Sequence, residues 1–168
     1  MSTSLYDLTV PVLIRALRNL SAILEKGAAH AKAQGIDPND LIEARLAPDM
    51  LALPGQIQRA SDSAKGCVVR LGGIPNLAMA DDETTFEQLQ ARIAATIAFL
   101  EAAPREAIDG QEEREVVLQT PGGNFPFNGR AFALGFVLPN VFFHVTTAYA
   151  ILRHKGVPLG KFDYLGGV

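Results

Sequence analysis

The stretch that most constrains the fold runs from Asn128 to Lys155 and reads NGRAFALGFVLPNVFFHVTTAYAILRHK. It predicts one long helix that is apolar almost all the way round. One side of this helix would carry Ala133, Val137, Asn140, His144, Thr147 and Ile151. Another side would carry Phe142, Val145, Tyr149 and Leu152. Because a helix with two apolar sides must be covered on both, we expect it to form the centre of a bundle or the seam of a dimer, enclosed around its whole girth.

Three polar residues interrupt this apolar helix in successive turns. Asn140, His144 and Thr147 are its only strongly polar inward candidates, and we take them as candidate ligand-binding residues. Asp62, among small residues of an earlier helix, is the fourth candidate, since an inward aspartate needs a partner or a metal ion. The alternative is structural, with these groups hydrogen-bonded to one another or to nearby backbone, such as a carbonyl freed by Pro139.

The totals favour one globular domain spanning residues 1–168. Hydrophobic residues make up 48% and charged residues 20%, which are values of a folded chain. The net charge is −3, and no basic block alternates with aromatic residues, so we expect no nucleic-acid partner. Cys67 is the one cysteine and predicts an inert packed thiol in a reducing compartment. With no signal sequence and no uninterrupted span long enough for a bilayer, we expect a soluble cytoplasmic protein without a membrane partner.

Two earlier helices are predicted before residue 72. The first spans Thr9–Gln34, with Thr9 as its cap and Pro11 in its first turn. A short helical turn follows from Asp37 to Ala44. The second long helix is expected over Pro48–Leu71, with a kink or a broken first turn at Pro54-Gly55.

The next predictions concern residues 84–128. Thr84 with Glu87, and Thr85 with Gln88, form two overlapping capping-box patterns for a third long helix that ends near Ala102. Glu115–Asn128, EVVLQTPGGNFPFN, predicts a small β-hairpin between the third and fourth helices. Its two aromatic side chains, Phe125 and Phe127, would cover one end of the bundle.

The C-terminal part carries three further expectations. Asn128 would cap the fourth helix, Pro139 would kink it, and Gly156 would end it. In the tail VPLGKFDYLGGV, the apolar side chains would anchor the chain back onto the helices: Phe162, Tyr164 and Leu165. These elements together predict an all-α four-helix bundle with one inserted hairpin.

Four segments carry a resemblance to a known family. They read YDLTVPVLIRALRNLSAIL, RLAPDMLALPGQIQRASDSAKG, DDETTFEQLQARI and LPNVFFHVTTAYAILRHKGVPLGKFDYLGG. Over nearly all of its length the chain resembles a bacterial and fungal group of DinB-like proteins known only as a domain of unknown function. The resemblance implies the DinB-like four-helix bundle, often as a homodimer.

The resemblance also raises the question of a metal centre, because the metal ligands of the superfamily can be sought in this sequence. Members of the wider DinB-like superfamily often bind a divalent metal through three histidines, one on the second helix and two spaced four apart on a later helix. Here the second helix has no histidine, and Ala148 stands four positions after His144. His154 is too far along the same helix to share an ion with His144, which leaves His144 as the one candidate metal ligand. Asp62 or Asp49 would have to supply oxygen ligands, and we expect no cofactor.

Three functions remain open from the sequence. The first is a small-molecule-binding bundle with a pocket near His144 and an incomplete metal triad. The second is a metal-dependent thiol transferase or hydrolase rebuilt from His144 and carboxylates. The third is a structural or interaction homodimer without catalysis, with the apolar fourth helix as its interface. The sequence does not decide whether the protein is an enzyme.

Overall fold

The computed structural model describes residues 3–167 of the chain. Helices predominate, with one two-stranded antiparallel sheet. In chain order the elements are α1 (Leu5–Gln34), α2 (Pro38–Ile42), α3 (Leu53–Gly72), α4 (Phe86–Glu101), α5 (Arg105–Ile108), β1 (Glu115–Thr120), β2 (Gly123–Asn128), α6 (Gly129–Ala131), a π-helical segment (Phe132–Val137), α7 (Leu138–His154) and α8 (Lys161–Leu165).

Four long helices form a bundle around one apolar core. Both α1 and α3 pack against α4 and against α7, so each long helix has two neighbours in the bundle. On α7 and the π-helical segment, the fully buried positions recur every three or four residues: Ala133, Val137, Val141, Val145, Ala148 and Leu152. This arrangement confirms the predicted all-α bundle with a hairpin between the third and fourth long helices.

Helix α1 begins earlier than the sequence predicted. Ser4 is its N-cap, and the Ser4 side chain accepts a hydrogen bond from the Asp7 amide. Thr9 was expected to cap the helix, but it is buried inside it, and its hydroxyl donates to the Leu5 carbonyl at 2.7 Å. The Thr9 prediction was wrong because Leu5 packs into the core, so the helix begins one turn before Thr9.

Helix α3 starts at the position where a kink or a broken first turn was expected. It begins at Leu53, so Pro54 lies in its first turn and its missing N–H costs no helical hydrogen bond. The expected start at Pro48 was wrong, because residues between α2 and α3 form turns instead, including a Met50 amide bonded to the Ala47 carbonyl. Leu53 is fully buried and ties the start of the helix to the core.

Helix α4 begins with one of the two predicted capping boxes. The Thr85 side chain accepts from the Gln88 amide, and Gln88 Oε1 accepts from the Thr85 amide. The same Gln88 oxygen accepts from the Thr84 amide at 2.7 Å. One glutamine therefore satisfies both threonine amides, and the alternative box of Thr84 with Glu87 does not form.

The C-terminal helix is continuous but locally widened. Asn128 caps it as predicted, since its side-chain oxygen accepts from the Ala131 amide at 2.8 Å. Near the position of the kink predicted at Pro139, the structure has the π-helical segment, which ends at Val137 immediately before α7. A π-helical turn absorbs a residue that cannot donate a hydrogen bond, which explains its position just ahead of the proline.

The hairpin covers the bundle with only one of its two predicted aromatic side chains. Its register pairs Glu115 with Asn128 and Thr120 with Gly123. Phe127 packs against Phe132 and Phe136 at centroid distances of 5.9 and 6.0 Å. Phe125 was expected to join this cover and points to the same face of the strand as Phe127, but it is 48% exposed, because it lies two residues nearer the turn, where the hairpin extends beyond the bundle.

The tail returns to the bundle as α8, which packs against α1. Tyr164 contacts Tyr149 edge-to-face at a centroid distance of 6.4 Å, as an anchor should. Phe162 was also expected to anchor the tail, but it is 72% exposed. The buried side chains of this region are Val157 and Leu159, which precede α8. The short helix turns Phe162 outward while Tyr164 faces the bundle.

Candidate functional site

His144 lies on α7 and faces Gln56 of α3. His144 Nδ1 lies 2.8 Å from Gln56 Oε1, and Gln56 Nε2 donates to the Leu51 carbonyl at 2.9 Å. Since the Gln56 amide nitrogen is occupied as a donor, its oxygen accepts and Nδ1 carries the proton. In the neutral ring, Nε2 is then the acceptor. Gln56 is itself almost fully buried, so this pair fixes the orientation of the imidazole.

The surroundings of His144 keep the imidazole neutral near physiological pH. Partial burial lowers the pKa of His144 below its ordinary value of 6.5, and the nearby positive charge of Arg59 lowers the pKa further. A neutral imidazole with a fixed tautomer is a hydrogen-bond acceptor and a base. The arrangement therefore suits a partner that donates a hydrogen bond.

Asn140 and Thr147 do not hydrogen-bond to His144. Asn140 Nδ2 donates to Ser63 Oγ at 2.6 Å, which adds a second polar link between α7 and α3. Thr147 Oγ1 donates to the Phe143 carbonyl of its own helix at 2.7 Å. Each of the three predicted polar residues on α7 thus has a partner that is structural, on α3 or on its own backbone.

Asp62 lies on a different face of α3 from the residues that meet α7. Consecutive residues on a helix point about 100° apart, so Ser63 faces Asn140 while Asp62 faces α4. There Asp62 Oδ1 accepts from Arg92 Nη2 at 2.9 Å and lies 3.2 Å from Lys65 Nζ. The structure does not bring Asp62 together with the polar residues of α7.

The Arg92 cluster is a polar centre that the sequence analysis missed. Arg92 projects from α4 with only 1% of its side chain exposed, and it contacts three carboxylates: Asp62, Asp81 and Glu83. Arg92 Nη1 also donates to the Ala80 carbonyl at 2.9 Å. Within residues 3–167, Arg92 Nε is the one buried side-chain nitrogen or oxygen that has no hydrogen-bond partner.

Opposing effects set the protonation of this cluster. Burial alone would raise the pKa of Glu83, but hydrogen bonds from Arg92 and Gln58 hold that pKa below its usual value. Burial likewise disfavours the charged guanidinium, while Glu83 and the neighbouring aspartates raise the pKa of Arg92. The cluster therefore stays ionised and ties the segment between α3 and α4 to both helices. The sequence signal was the acidic run Asp81-Asp82-Glu83, which lies just before α4, followed by an arginine on the apolar face of that helix.

The described residues do not fit a metal centre of the DinB-like type. From Thr3 to Gly167, no group of three or more histidine, cysteine, aspartate or glutamate side chains is placed to hold a metal ion. The α3 side chain that faces His144 is the amide of Gln56, and Asp49 is exposed on the segment before α3. A single imidazole falls short of the three protein ligands usual in catalytic zinc sites.

One flank of α7 remains uncovered, which corrects the expectation that this helix is enclosed around its whole girth. Phe143 is 56% exposed, and its ring lies edge-on to the His144 imidazole at 5.2 Å. Beside Phe143 runs an apolar cleft of about 460 Å³, whose lining includes Leu46, Pro139 and Thr147. Of the long helices, α1 and α3 pack against α7, and the flank of α7 that carries Phe143 stays exposed in the described part of the chain.

Helix Gly129–His154 is also long and apolar enough to cross a membrane, judged by length and composition alone. Its most apolar window has a mean hydropathy of 1.5 and is 39% buried. One such helix is weak evidence for a span, because the core helix of a bundle has the same composition.

The order of the four long helices and the hairpin inserted before the last of them give an all-α bundle of the DinB-like class. The chain belongs to the family described as Domain of unknown function (DUF1993), which matches residues 5–165. A crystal structure of a DinB family member protein from Shewanella denitrificans superposes with a TM-score of 0.89 at 39% sequence identity. That match covers 98% of this chain and 93% of the other. No curated protein matches the sequence.

Proposed function

We propose that this protein is a homodimeric interaction module in which the uncovered flank of α7 meets the same flank of a second copy. One observation carries the proposal. Residues 131–152 contain no aspartate, glutamate, lysine or arginine, yet Phe143 within them is largely exposed. A helix that has no charged residue over six turns rarely leaves one side exposed to water. An exposed apolar side of this kind is typical of a protein interface.

The chemistry of the flank favours a second copy as its occupant. A two-fold interface places each residue opposite the same patch of the partner, so a charged patch would oppose like charges. An uncharged apolar patch meets itself without this penalty. Phe143 projects beside the cleft lined by Leu46 and Thr147, so a two-fold axis near the cleft would let each Phe143 enter the cleft of the other copy.

The test is the mass of the protein in solution. Sedimentation velocity and light scattering should give a dimer for the unaltered chain. Phe143→Asp should give a folded monomer, because it would bury a carboxylate opposite its own symmetry mate. The matched control is Phe125→Asp, which alters another exposed phenylalanine on the hairpin and should leave the dimer intact. An unaltered chain that stays monomeric at high concentration would refute the proposal.

A second candidate function is small-molecule binding near His144. The observation that favours it is the fixed tautomer, in which Gln56 holds Nδ1 while the half-buried ring offers Nε2 as an acceptor. A ligand with an apolar ring and one hydroxyl donor would suit this group and the neighbouring Phe143. Phenol is a suitable probe.

Long-range nitrogen NMR of the histidine rings would test this second candidate. Saturable movement of the His144 Nε2 signal on addition of phenol would support it, provided that the exposed ring of His154 does not respond in the same way. Equal and non-saturating changes at both rings would count against a site. We place both candidate functions in the cytoplasm, because the one cysteine is buried and unpaired.

A further inference from the structure

A separate cavity lies on the other side of α7, between α1, α7 and α8. Its volume is about 230 Å³. The walls on α1 and α7 are mainly apolar, and they are formed by Val12, Ala16, Phe142 and Val145. Tyr164 of α8 closes part of the opening. Neither His144 nor any residue of the Arg92 cluster contributes to this space, and of its lining residues Phe142 also borders the cleft beside Phe143.

Two polar side chains border this apolar cavity. Arg15 and Asn19 are one helical turn apart on α1, so both point toward the same edge. Arg15 Nη2 donates to the Leu165 carbonyl at 2.6 Å, and Asn19 Nδ2 donates to the Tyr164 carbonyl at 2.9 Å. A guanidinium has five N–H donors, so the bond to Leu165 leaves most of the donors of Arg15 for another acceptor.

The cover over the cavity is weakly attached. Helix α8 has five residues, and none of them is fully buried. Its attachments are the two carbonyl contacts with α1, the Tyr149–Tyr164 ring contact and an ion pair between Lys26 and Asp163. Such a short helix is unstable alone, and a segment that buries so little apolar surface opens at low free-energy cost. The cavity is already partly open to solvent, and movement of α8 would widen its opening and release donors of Arg15 and Asn19 together.

We propose that this cavity is a binding site for a small monocarboxylic acid with a compact apolar body, and that α8 is its lid. The apolar walls would hold the body of the ligand, and the Arg15 guanidinium would bind its carboxylate through two parallel hydrogen bonds. The cavity is smaller than the 300–1,000 Å³ usual for drug-sized ligands, so the acid must be of the size of benzoate. The site belongs to one chain and does not depend on the proposed dimer.

Benzoate is the probe for the test, with benzyl alcohol as its uncharged analogue. Methyl signals of Val145 and the side-chain N–H signals of Arg15 should shift saturably with benzoate. Benzyl alcohol should bind about tenfold more weakly or worse, because it cannot form the charged pair. Equal binding of the two compounds would overturn the role of the carboxylate.

Two variants separate the charge from the cavity. Arg15→Gln should weaken benzoate binding about tenfold, while the control Arg18→Gln should not, since Arg18 pairs with Glu101 outside the cavity. Val12→Phe should fill the half-exposed edge of the cavity and abolish binding in a chain that still folds. Absence of saturable shifts in the unaltered protein, or equal affinity in Arg15→Gln, would refute the proposal.

Discussion

The protonation state of His144 affects the stability of the contact between α3 and α7, where His144 meets Gln56. Its pKa is lowered in the folded chain relative to 6.5, so the unfolded chain binds more protons between the two values. Stability contributed by the neutral ring is therefore complete above about pH 6.5 and is lost as the pH falls toward the folded pKa. The hydrogen bond from Nδ1 to Gln56 is present in this neutral state.

The first prediction concerns the substitution of this imidazole by an amide that does not titrate. The stability of the unaltered chain should fall as the pH decreases from about 7 to about 5, and His144→Gln should remove part of that slope. Urea unfolding at a series of pH values measures how the free energy of unfolding changes with pH. His154→Gln, at an exposed position, is the control and should keep the original slope. Identical slopes for His144→Gln and the unaltered protein would contradict the assignment.

The second prediction concerns the buried guanidinium on α4. Arg92→Ala should lower the free energy of unfolding by about 3 kcal/mol or more, because it leaves Glu83 and its neighbouring aspartates without their buried counter-ion. Arg18→Ala is the control, since the Arg18 side chain is 64% exposed and its pair with Glu101 is worth about 0–1 kcal/mol. Chemical denaturation of both variants gives the comparison. Similar losses in the two variants would show that Arg92 is not a structural centre.

At the scale of secondary-structure elements, the junction between the hairpin and α6 is closely packed backbone against backbone. Gly129 is buried against the backbone of Gln111, and the Arg130 amide donates to the Glu112 carbonyl at 2.9 Å. A Cβ at position 129 would collide with the Gln111 carbonyl oxygen, and that backbone atom cannot move aside as a side chain can. The absence of a side chain at position 129 therefore lets the start of the C-terminal helix pack against the turn after α5.

The third prediction compares two glycines in the same C-terminal helix. Gly129→Ala should destabilise the protein by about 1–3 kcal/mol through overpacking. Gly135→Ala should be neutral or stabilising by up to about 1 kcal/mol, because an added Cβ there meets open space and alanine favours helical backbone. Thermal and urea unfolding of the two variants measure the difference in stability. The packing argument fails if the two variants have equal stability.

The same elements show where local sequence signals were sufficient. The capping pair Thr85–Gln88, the Asn128 cap and the hairpin of residues 115–128 were predicted, because each depends on neighbours a few residues away. The starts of α1 and α3 were misplaced. Helix α1 begins earlier than expected, where Leu5 packs into the core, and α3 begins later than expected, at the fully buried Leu53. In both cases packing against distant residues decided where the helix begins.

At the scale of the whole molecule, the bundle leaves the Phe143 flank of α7 exposed.

The fourth prediction follows from mass action. If two copies join through the α7 flank, unfolding requires their separation, and the midpoint of thermal unfolding should rise with protein concentration. The Phe143→Asp variant should lose this dependence, whereas Phe125→Asp should keep it. Calorimetry over a wide range of concentrations measures the effect, and a constant midpoint in the unaltered protein would argue against the dimer.

For the candidate site, the sequence identified side chains but not their partners. His144, Asn140 and Thr147 were selected as polar residues on an apolar helix, and all three are half-buried or buried. The same reasoning added Asp62, which belongs to the Arg92 cluster instead. It overlooked Arg92 because an arginine is exposed in most helices, and only the three carboxylates around it allow its burial.

The sequence by itself determined the four long helices, the inserted hairpin and most of the caps, because hydrophobic period and capping chemistry act within a few residues. Only the tertiary structure decided that His144 meets Gln56, 88 residues away, and that Arg92 meets Asp62, 30 residues away. These pairs depend on how each helix is rotated about its axis against its neighbours. That rotation is set by the packing of the whole core, which no local pattern of residues encodes.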